Sequence, residues 1–236
     1  MKKPTEIKKP TGKLGILLPG MGAVGTTLIA GVMLARKGLA KPFGSLTQMG
    51  TIRLGKRTEN RSPLIKDFIP LAGLNDIVFG GWDLFHDDAY TAAKKAEVLS
   101  NEHLGLIKDE LAAIKPMESV FFPEFVKKLR GENVKKQTNK MELAEGIRAD
   151  IAAFKDKNKL DRAVAVWCGS TEVYRAPVDV HQSLKKFEAG LAKNDPDISP
   201  SQVYAYACLK EGVAYANGAP HLTAETPAML ELSRER

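Results

Sequence analysis

Residues 14–25, which read Leu-Gly-Ile-Leu-Leu-Pro-Gly-Met-Gly-Ala-Val-Gly, constrain the fold of this chain more than any other stretch. Leu14–Leu18 is a short apolar run stopped by Pro19-Gly20, as expected of a strand buried on both faces. From about Val24 to Lys37 the pattern turns helical, and Gly38 suits its end. Between them lies Gly20-Met21-Gly22-Ala23-Val24-Gly25, a G-x-G-x-x-G turn. The first glycine permits the tight turn, the second lets a pyrophosphate approach the backbone, and the third lets the helix pack closely on the strand. The exposed N–H groups of the helix start, with the helix dipole behind them, supply an anion site. The strand–turn–helix setting is the one a dinucleotide-binding turn requires. A purely structural glycine turn is the alternative.

The rest of the chain continues the alternation, so we expect an α/β fold: a Rossmann-like, mostly parallel sheet with helices on both faces. Ile77–Phe79 is expected to be a buried strand closed by Gly80-Gly81, and Ser119–Phe122 a strand closed by Pro123. Residues from about Asp87 to Lys115 suit one long helix or two shorter ones, ended by Pro116. Within Gln137–Lys157, Leu143, Ile147, Ile151 and Phe154 mark an amphipathic helix. Ala163–Cys168 follows as a strand, and Asp179–Lys193 as a helix. Ser199-Pro200, an N-cap with proline at the first helical position, opens a helix through about Tyr215. The domain is expected over residues 13–236, after a basic flexible tail over residues 1–12.

With 236 residues, 44% of them hydrophobic and 27% charged, the chain can bury a substantial core. No stretch approaches the roughly 18 apolar residues of a membrane span, and the N-terminus lacks the apolar segment of a secretory signal. Cys168 and Cys208 then read as reduced thiols of a cytoplasmic protein. The net charge of +7 is concentrated in residues 1–13, with five lysines against Glu6, and in Lys41–Lys66. Neither stretch carries the interleaved aromatics of a single-strand binder, so no nucleic-acid or membrane partner is expected. A phosphate-friendly surface is.

One part of the dinucleotide fingerprint is missing: an acid about twenty residues after the glycine turn, to hold the ribose hydroxyls. Thr26–Thr58 contains no acidic residue. Either another residue holds the ribose, or Arg53 and Arg57 favour a 2′-phosphate and hence NADP. Asp83, in Phe79-Gly80-Gly81-Trp82-Asp83, follows a strand and so lies at the carboxyl edge where ligands bind. A helix N-cap is its other reading.

Five ordered segments resemble the inositol-3-phosphate synthase (myo-inositol-1-phosphate synthase) family. They are Gly20–Leu28, Phe79–Asp83, Ser119–Phe125, Val166–Glu172 and Ser199–Thr223, the last with Glu211-Gly212-Val213, Tyr215, Asn217-Gly218 and Pro220. The resemblance implies a Rossmann domain joined, in the family, to an α+β catalytic and tetramerising domain. It implies an isomerase with NAD as cofactor and glucose 6-phosphate as substrate: oxidation at C5, enolisation, aldol closure onto C1 and reduction to inositol phosphate, feeding inositol and phospholipid biosynthesis. By position, Gly22, Ala23, Val24 and Gly25 would contact the pyrophosphate after the turn at Gly20, and Asp83 the adenosine ribose. Ser119, Cys168, Gly169, Ser170 and Thr171 would line the cofactor groove. Gly218 and Ala219 would lie where nicotinamide and substrate phosphate approach.

This sequence departs from the family at Ala23-Val24, where many members carry an extra residue and two asparagines, and at Cys168-Gly169-Ser170-Thr171, where they read Thr-Ala-Asn-Thr. The family's catalytic lysines are expected beyond Arg236, so a cofactor domain without its catalytic partner is expected, inactive alone. The alternatives are an NAD-binding module without catalysis, or an NAD(P)-dependent dehydrogenase sharing only the fold. His86, His103, His181 and His221 show no metal-ligand spacing. His86-Asp87-Asp88 suits a helix start better than a metal site, and Cys168 suits a buried small residue better than a nucleophile.

Overall fold

A computed structural model describes residues 11–235; residues 1–10, most of the expected basic tail, lie outside the described residues. The chain runs β1 (Lys13–Pro19), α1 (Ala23–Arg36), α2 (Leu46–Met49), α3 (Ile65–Phe68), β2 (Ile77–Asp83), α4 (Ala89–Ala96), α5 (Asn101–Gly105), α6 (Lys108–Ala112) and β3 (Met117–Glu118). It continues with α7 (Lys140–Asn158), β4 (Leu160–Trp167), α8 (Leu184–Ala192), α9 (Pro200–Lys210), β5 (Ala214–Asn217) and α10 (Pro227–Glu235). The five strands form one sheet in the order β3-β2-β1-β4-β5, and every pairing is parallel. The chain builds outward from β1 to β2 and β3, then returns to lay β4 against the other side of β1. That reversal opens a crevice between the carboxyl ends of β1 and β4.

Alternation along the strands divides the core in two. Leu18 and Phe79 face one side, with Ile29, Ala30 and Leu34 of α1, Ala89 and Ala93 of α4, and Leu104, Ile107 and Leu111. Leu17 and Trp82 face the other, with Leu143, Ile147 and Ile151 of α7, Phe187 of α8, Val203 and Tyr204 of α9, and Leu232 of α10. Helices cover both faces, as the sequence pattern implies.

Four local expectations need correction. Gly80 and Gly81 do not close β2; the strand runs through them to Asp83. They serve close approach instead, because a Cβ at Gly80 would stand 2.5 Å from the Phe154 ring and one at Gly81 would strike the Leu18 backbone. The strand expected at Ser119–Phe122 is Met117–Glu118, and Ser119 makes an isolated bridge to Val134. Residues 87–115 hold three short helices, broken at Glu97, which takes φ 53°, and again at Ile107. The helix at Ser199-Pro200 has the expected cap, with Ser199 accepting from the Gln202 N–H and Gln202 returning to the Ser199 N–H. It ends at Lys210, however, and Tyr215 belongs to β5. A strand was invisible there because α9 is buried nearly all round and shows no periodicity to run out.

α7 is anchored at its first residue. The Lys140 ammonium is buried and donates to the Asp195 and Ile198 carbonyls, each at 2.7 Å, with the Phe122 ring 4.4 Å away. Burial pushes its pKa down to about 8 from 10.5, against the opposing pull of Glu124 and Asp195. A neutral amine retains two N–H donors, enough for both carbonyls. The folded state therefore disfavours the charged form, and this penalty disappears as pH rises from 8 towards 10.5. Chemical denaturation of wild type and Lys140→Met should show the difference shifting in favour of wild type by about 1–3 kcal/mol over that range. A difference independent of pH would contradict the assignment.

Candidate cofactor site

The glycine turn sits at the crevice between β1 and β4. Gly20 takes φ +94°, a left-handed conformation that side chains other than glycine's rarely allow, and a Cβ there would strike the backbone of Gly169. Its N–H donates to the Trp82 carbonyl at 2.8 Å, and the Cys168 N–H donates to the Pro19 carbonyl at 2.9 Å. The ends of β2, β1 and β4 are thereby joined across the turn.

Gly22 is the N-cap of α1. No side chain caps this helix, and its first turn holds no acid. The N–H groups at its start and the positive end of the helix dipole are left for a ligand. A Cβ on Gly22 would meet nothing within 4 Å, so the space in front of the helix is open. Gly25 faces the other way: a Cβ there would stand 2.8 Å from the Gly20 carbonyl oxygen. It sets the packing of α1 on the turn and does not line the cavity. The division of labour between these glycines is the one that a bound pyrophosphate needs.

Asp83 ends β2, the strand beside β1. Its position along the sheet is the usual place for the ribose-binding acid. The spacing failed only because residues 37–76, with α2 and α3, are inserted between α1 and β2. Its Oδ2 accepts from the Met21 N–H at 2.6 Å and its Oδ1 from the Phe85 N–H at 3.1 Å, so it braces the glycine turn directly. Burial raises its pKa, while the donors at Met21, Phe85 and Leu84 hold it down. Each carboxylate oxygen keeps a lone pair for a hydroxyl. Arg53 and Arg57, the candidates for a 2′-phosphate, do not line the cavity.

Gly20, Gly22, Ala23, Val24, Asp83, Ser119, Cys168, Gly169, Ser170 and Thr171 share the wall of one cavity of about 470 Å³. Gly218 and Ala219 are not on it. The Gly218 N–H donates to the Trp167 carbonyl at 3.2 Å, and the Ala219 N–H to Asn217 Oδ1 at 3.0 Å, which fixes the turn after β5. Ser119 is buried and its Oγ donates to the Asn133 carbonyl at 3.1 Å. Asn133 in turn donates to the Asp83 and Met117 carbonyls, tying β2 to β3. Cys168 is half-buried, and burial pushes its thiol up, away from a reactive thiolate. Asp88 caps α4 by accepting from the Thr91 N–H at 2.8 Å, and Asp87 pairs with Lys95.

Several wall residues receive no role from the sequence reading. Trp82, Tyr204 and Trp167 make an aromatic floor, with ring centroids 5.2 Å apart for the first pair and 5.8 Å for the second. Tyr204 Oη accepts from the Val120 N–H, and Trp82 Nε1 donates to Asp150 at 2.7 Å. Phe85, Val126 and Leu129 add apolar surface to the wall, suited to a flat base. Glu172, buried, also lines the cavity.

The family model described as myo-inositol-1-phosphate synthase, with a name that specifies NAD binding, matches residues 14–236. The chain is 48% identical over 233 residues to inositol-3-phosphate synthase 1 of Bacteroides thetaiotaomicron, covering 98% of this chain and 54% of that protein. It is 37% identical to inositol-3-phosphate synthase 1 of Oryza sativa subsp. japonica, covering 94% and 46%. The crystal structure of inositol-3-phosphate synthase from Caenorhabditis elegans superposes with a TM-score of 0.88 at 29% identity, over 95% of this chain and 47% of that one. The chain thus spans about half the length of the curated relatives it matches.

Two substitutions separate the roles of the glycines. Gly22→Val should abolish NAD binding in calorimetry while leaving the thermal midpoint nearly unchanged, because its side chain enters only the cofactor's space. Gly25→Ala should lower the thermal midpoint, by about 1–3 kcal/mol of stability, because its Cβ presses on backbone. Normal NAD binding by Gly22→Val would reduce the motif to a structural turn.

Proposed function

The chain belongs to the myo-inositol-1-phosphate synthase family and binds NAD, and we propose that it forms the cofactor-holding half of a site that converts glucose 6-phosphate to 1D-myo-inositol 3-phosphate. The observation that carries this reading is the single cavity shared by the uncapped start of α1, Asp83 and the loop after β4. Bound NAD would accept hydride from C5 of the sugar and return it after ring closure.

The remaining roles belong to this chain. The N–H groups of Ala23 and Val24 receive the pyrophosphate, with no competing side chain. Asp83 accepts hydroxyl donors from the adenosine ribose and repels a 2′-phosphate. Phe85, Val126 and Leu129 enclose the base and exclude water. Cys168, Gly169, Ser170 and Thr171 flank the nicotinamide end, where a neutral thiol and small residues leave room for a sugar.

Among the described residues lining this cavity there is no lysine, arginine or histidine. Enolisation and closure beside a dianionic phosphate need fixed positive charge and proton donors. We assign those groups to a segment or subunit that docks over the open side, which makes a tetramer or other homo-oligomer the reading for the complete site. The same bare wall supports a second reading, an NAD-binding module with no turnover of its own.

Calorimetry with both cofactors tests the ribose assignment. NAD should bind more tightly than NADP, and Asp83→Ala should cost about 1.5–3 kcal/mol, or about 10- to 150-fold in Kd. Tighter NADP binding that Arg53→Ala weakens would overturn it. Assayed for inositol phosphate by chromatography, the purified 236-residue protein should bind NAD without turning over glucose 6-phosphate. Turnover comparable to that of a relative of twice its length would place the catalytic groups among residues described above as structural.

A further inference from the structure

We propose that Glu172 is a positioning residue for the cofactor: acting through Ser201 and a neutral His221, it fixes the Cys168–Thr171 loop against the NAD cavity and makes NAD affinity depend on the protonation of His221. The inference rests on the NAD site described above.

Glu172 follows the loop directly and is only 3% exposed. Its Oε1 accepts from the Ser201 N–H at 2.8 Å and its Oε2 from Ser201 Oγ at 2.6 Å. Burial raises the pKa of Glu172, and the Ser201 and Ser199 hydrogen bonds oppose that shift; Ser201 lies in the first turn of α9, where the helix dipole also favours a carboxylate. Ser201 Oγ also lies 2.8 Å from Thr223 Oγ1. Asn217, at the end of β5, donates to Thr223 Oγ1 and, at 2.6 Å, to the His221 carbonyl. Three segments therefore meet on one carboxylate: the loop after β4, the start of α9 and the turn after β5.

The His221 ring is bracketed by this same residue. Its Nδ1 accepts from the Glu172 backbone N–H at 3.2 Å, so the proton of the neutral ring resides on Nε2. Nε2 is buried, 3.4 Å from Glu172 Oε2, and has no hydrogen-bond partner. Protonation would put a second N–H on Nδ1, donor against donor with the Glu172 N–H. The ring must then turn, or the backbone beside Thr171 must move. Burial holds His221 below its ordinary value, against the pull of Glu225, whose Oε2 accepts from the Thr223 N–H. The edge of Trp167 closes the ring's face, with centroids 5.8 Å apart. The charged or titratable groups facing the ring are thus Glu172 and Glu225, with the buried Tyr215 phenol beside both. No sequence spacing announces this cluster, since 29 residues separate Glu172 from Ser201 and 49 separate it from His221.

The test combines calorimetry with NAD and backbone amide exchange of residues 169–172 in NAD-free protein. In wild type, NAD affinity should hold above about pH 6.5 and fall as pH drops below it, because burial holds the protonation of His221 beneath its ordinary value of 6.5. His221→Asn, which can still accept from the Glu172 N–H, should keep the affinity found at the higher pH and lose most of that fall. Glu172→Gln should weaken NAD by about tenfold or more at the higher pH, the effect of one lost charge-assisted hydrogen bond, and should speed amide exchange in the loop. An equal fall in His221→Asn overturns the proposal, as does unchanged affinity or unchanged exchange in Glu172→Gln. Should Glu172→Gln fail to fold, the His221→Asn pH profile alone decides. Wild type that binds no NAD but whose loop exchange responds to Glu172→Gln would refute the cofactor reading and leave the tether standing.

Discussion

The end of β1 must pass close to the end of β4 before anything else at this edge of the sheet can form, and the space for it comes from the missing side chain of Gly20. Gly20, in a left-handed conformation, lies against the backbone of Gly169, and any Cβ there would drive the two segments apart. From that approach follow the Cys168 N–H to Pro19 carbonyl bond, the direction of α1, and the alignment of the Met21 N–H with Asp83. The turn proposed to receive the anion and the acid proposed to receive the ribose are therefore parts of one hydrogen-bonded unit. This unit is preorganised, and ligand binding need not order it.

Around that unit the molecule divides its chemistry by depth. The cavity floor is aromatic and rigid, held by Tyr204 on the Val120 N–H and Trp82 on Asp150, which also pairs with Lys135 at 2.9 Å. The mouth offers backbone donors and one carboxylate. Buried Asn133, and Glu172 on the cavity wall, spend their hydrogen bonds tying neighbouring segments together. A site so arranged suits a dinucleotide, and among the described residues that line it there is no lysine or arginine.

What the sequence made legible follows from how local each signal is. β1, the glycine turn and α1 are contiguous, so hydrophobic period and glycine spacing identify them without tertiary information. The Ser199-Pro200 cap and the four-residue spacing along α7 are equally local. Asp83 was legible as an acid at a strand end, but its standing beside β1 was hidden by the inserted residues 37–76, which break the fingerprint's spacing. Gly80 and Gly81 misled because they serve close contacts with Phe154 and Leu18, partners distant in sequence, and resemble a turn only in isolation. β5 was lost because the fully buried α9 leaves no amphipathic rhythm whose end could be seen. Gly218 and Ala219 were placed by resemblance alone and stand behind Trp167, off the cavity wall. Glu172 and His221 meet only in three dimensions.

The central claim is that the uncapped start of α1 and Asp83 form one dinucleotide site at the β1–β4 crevice. A crystal structure of the protein with NAD tests it most directly. The account predicts pyrophosphate oxygens on the N–H groups that begin at Ala23, the adenosine ribose hydroxyls on the Asp83 carboxylate, and the base against Phe85, Val126 and Leu129. A pyrophosphate lying away from α1, or a ribose that leaves Asp83 bonded only to Met21 and Phe85, would contradict it.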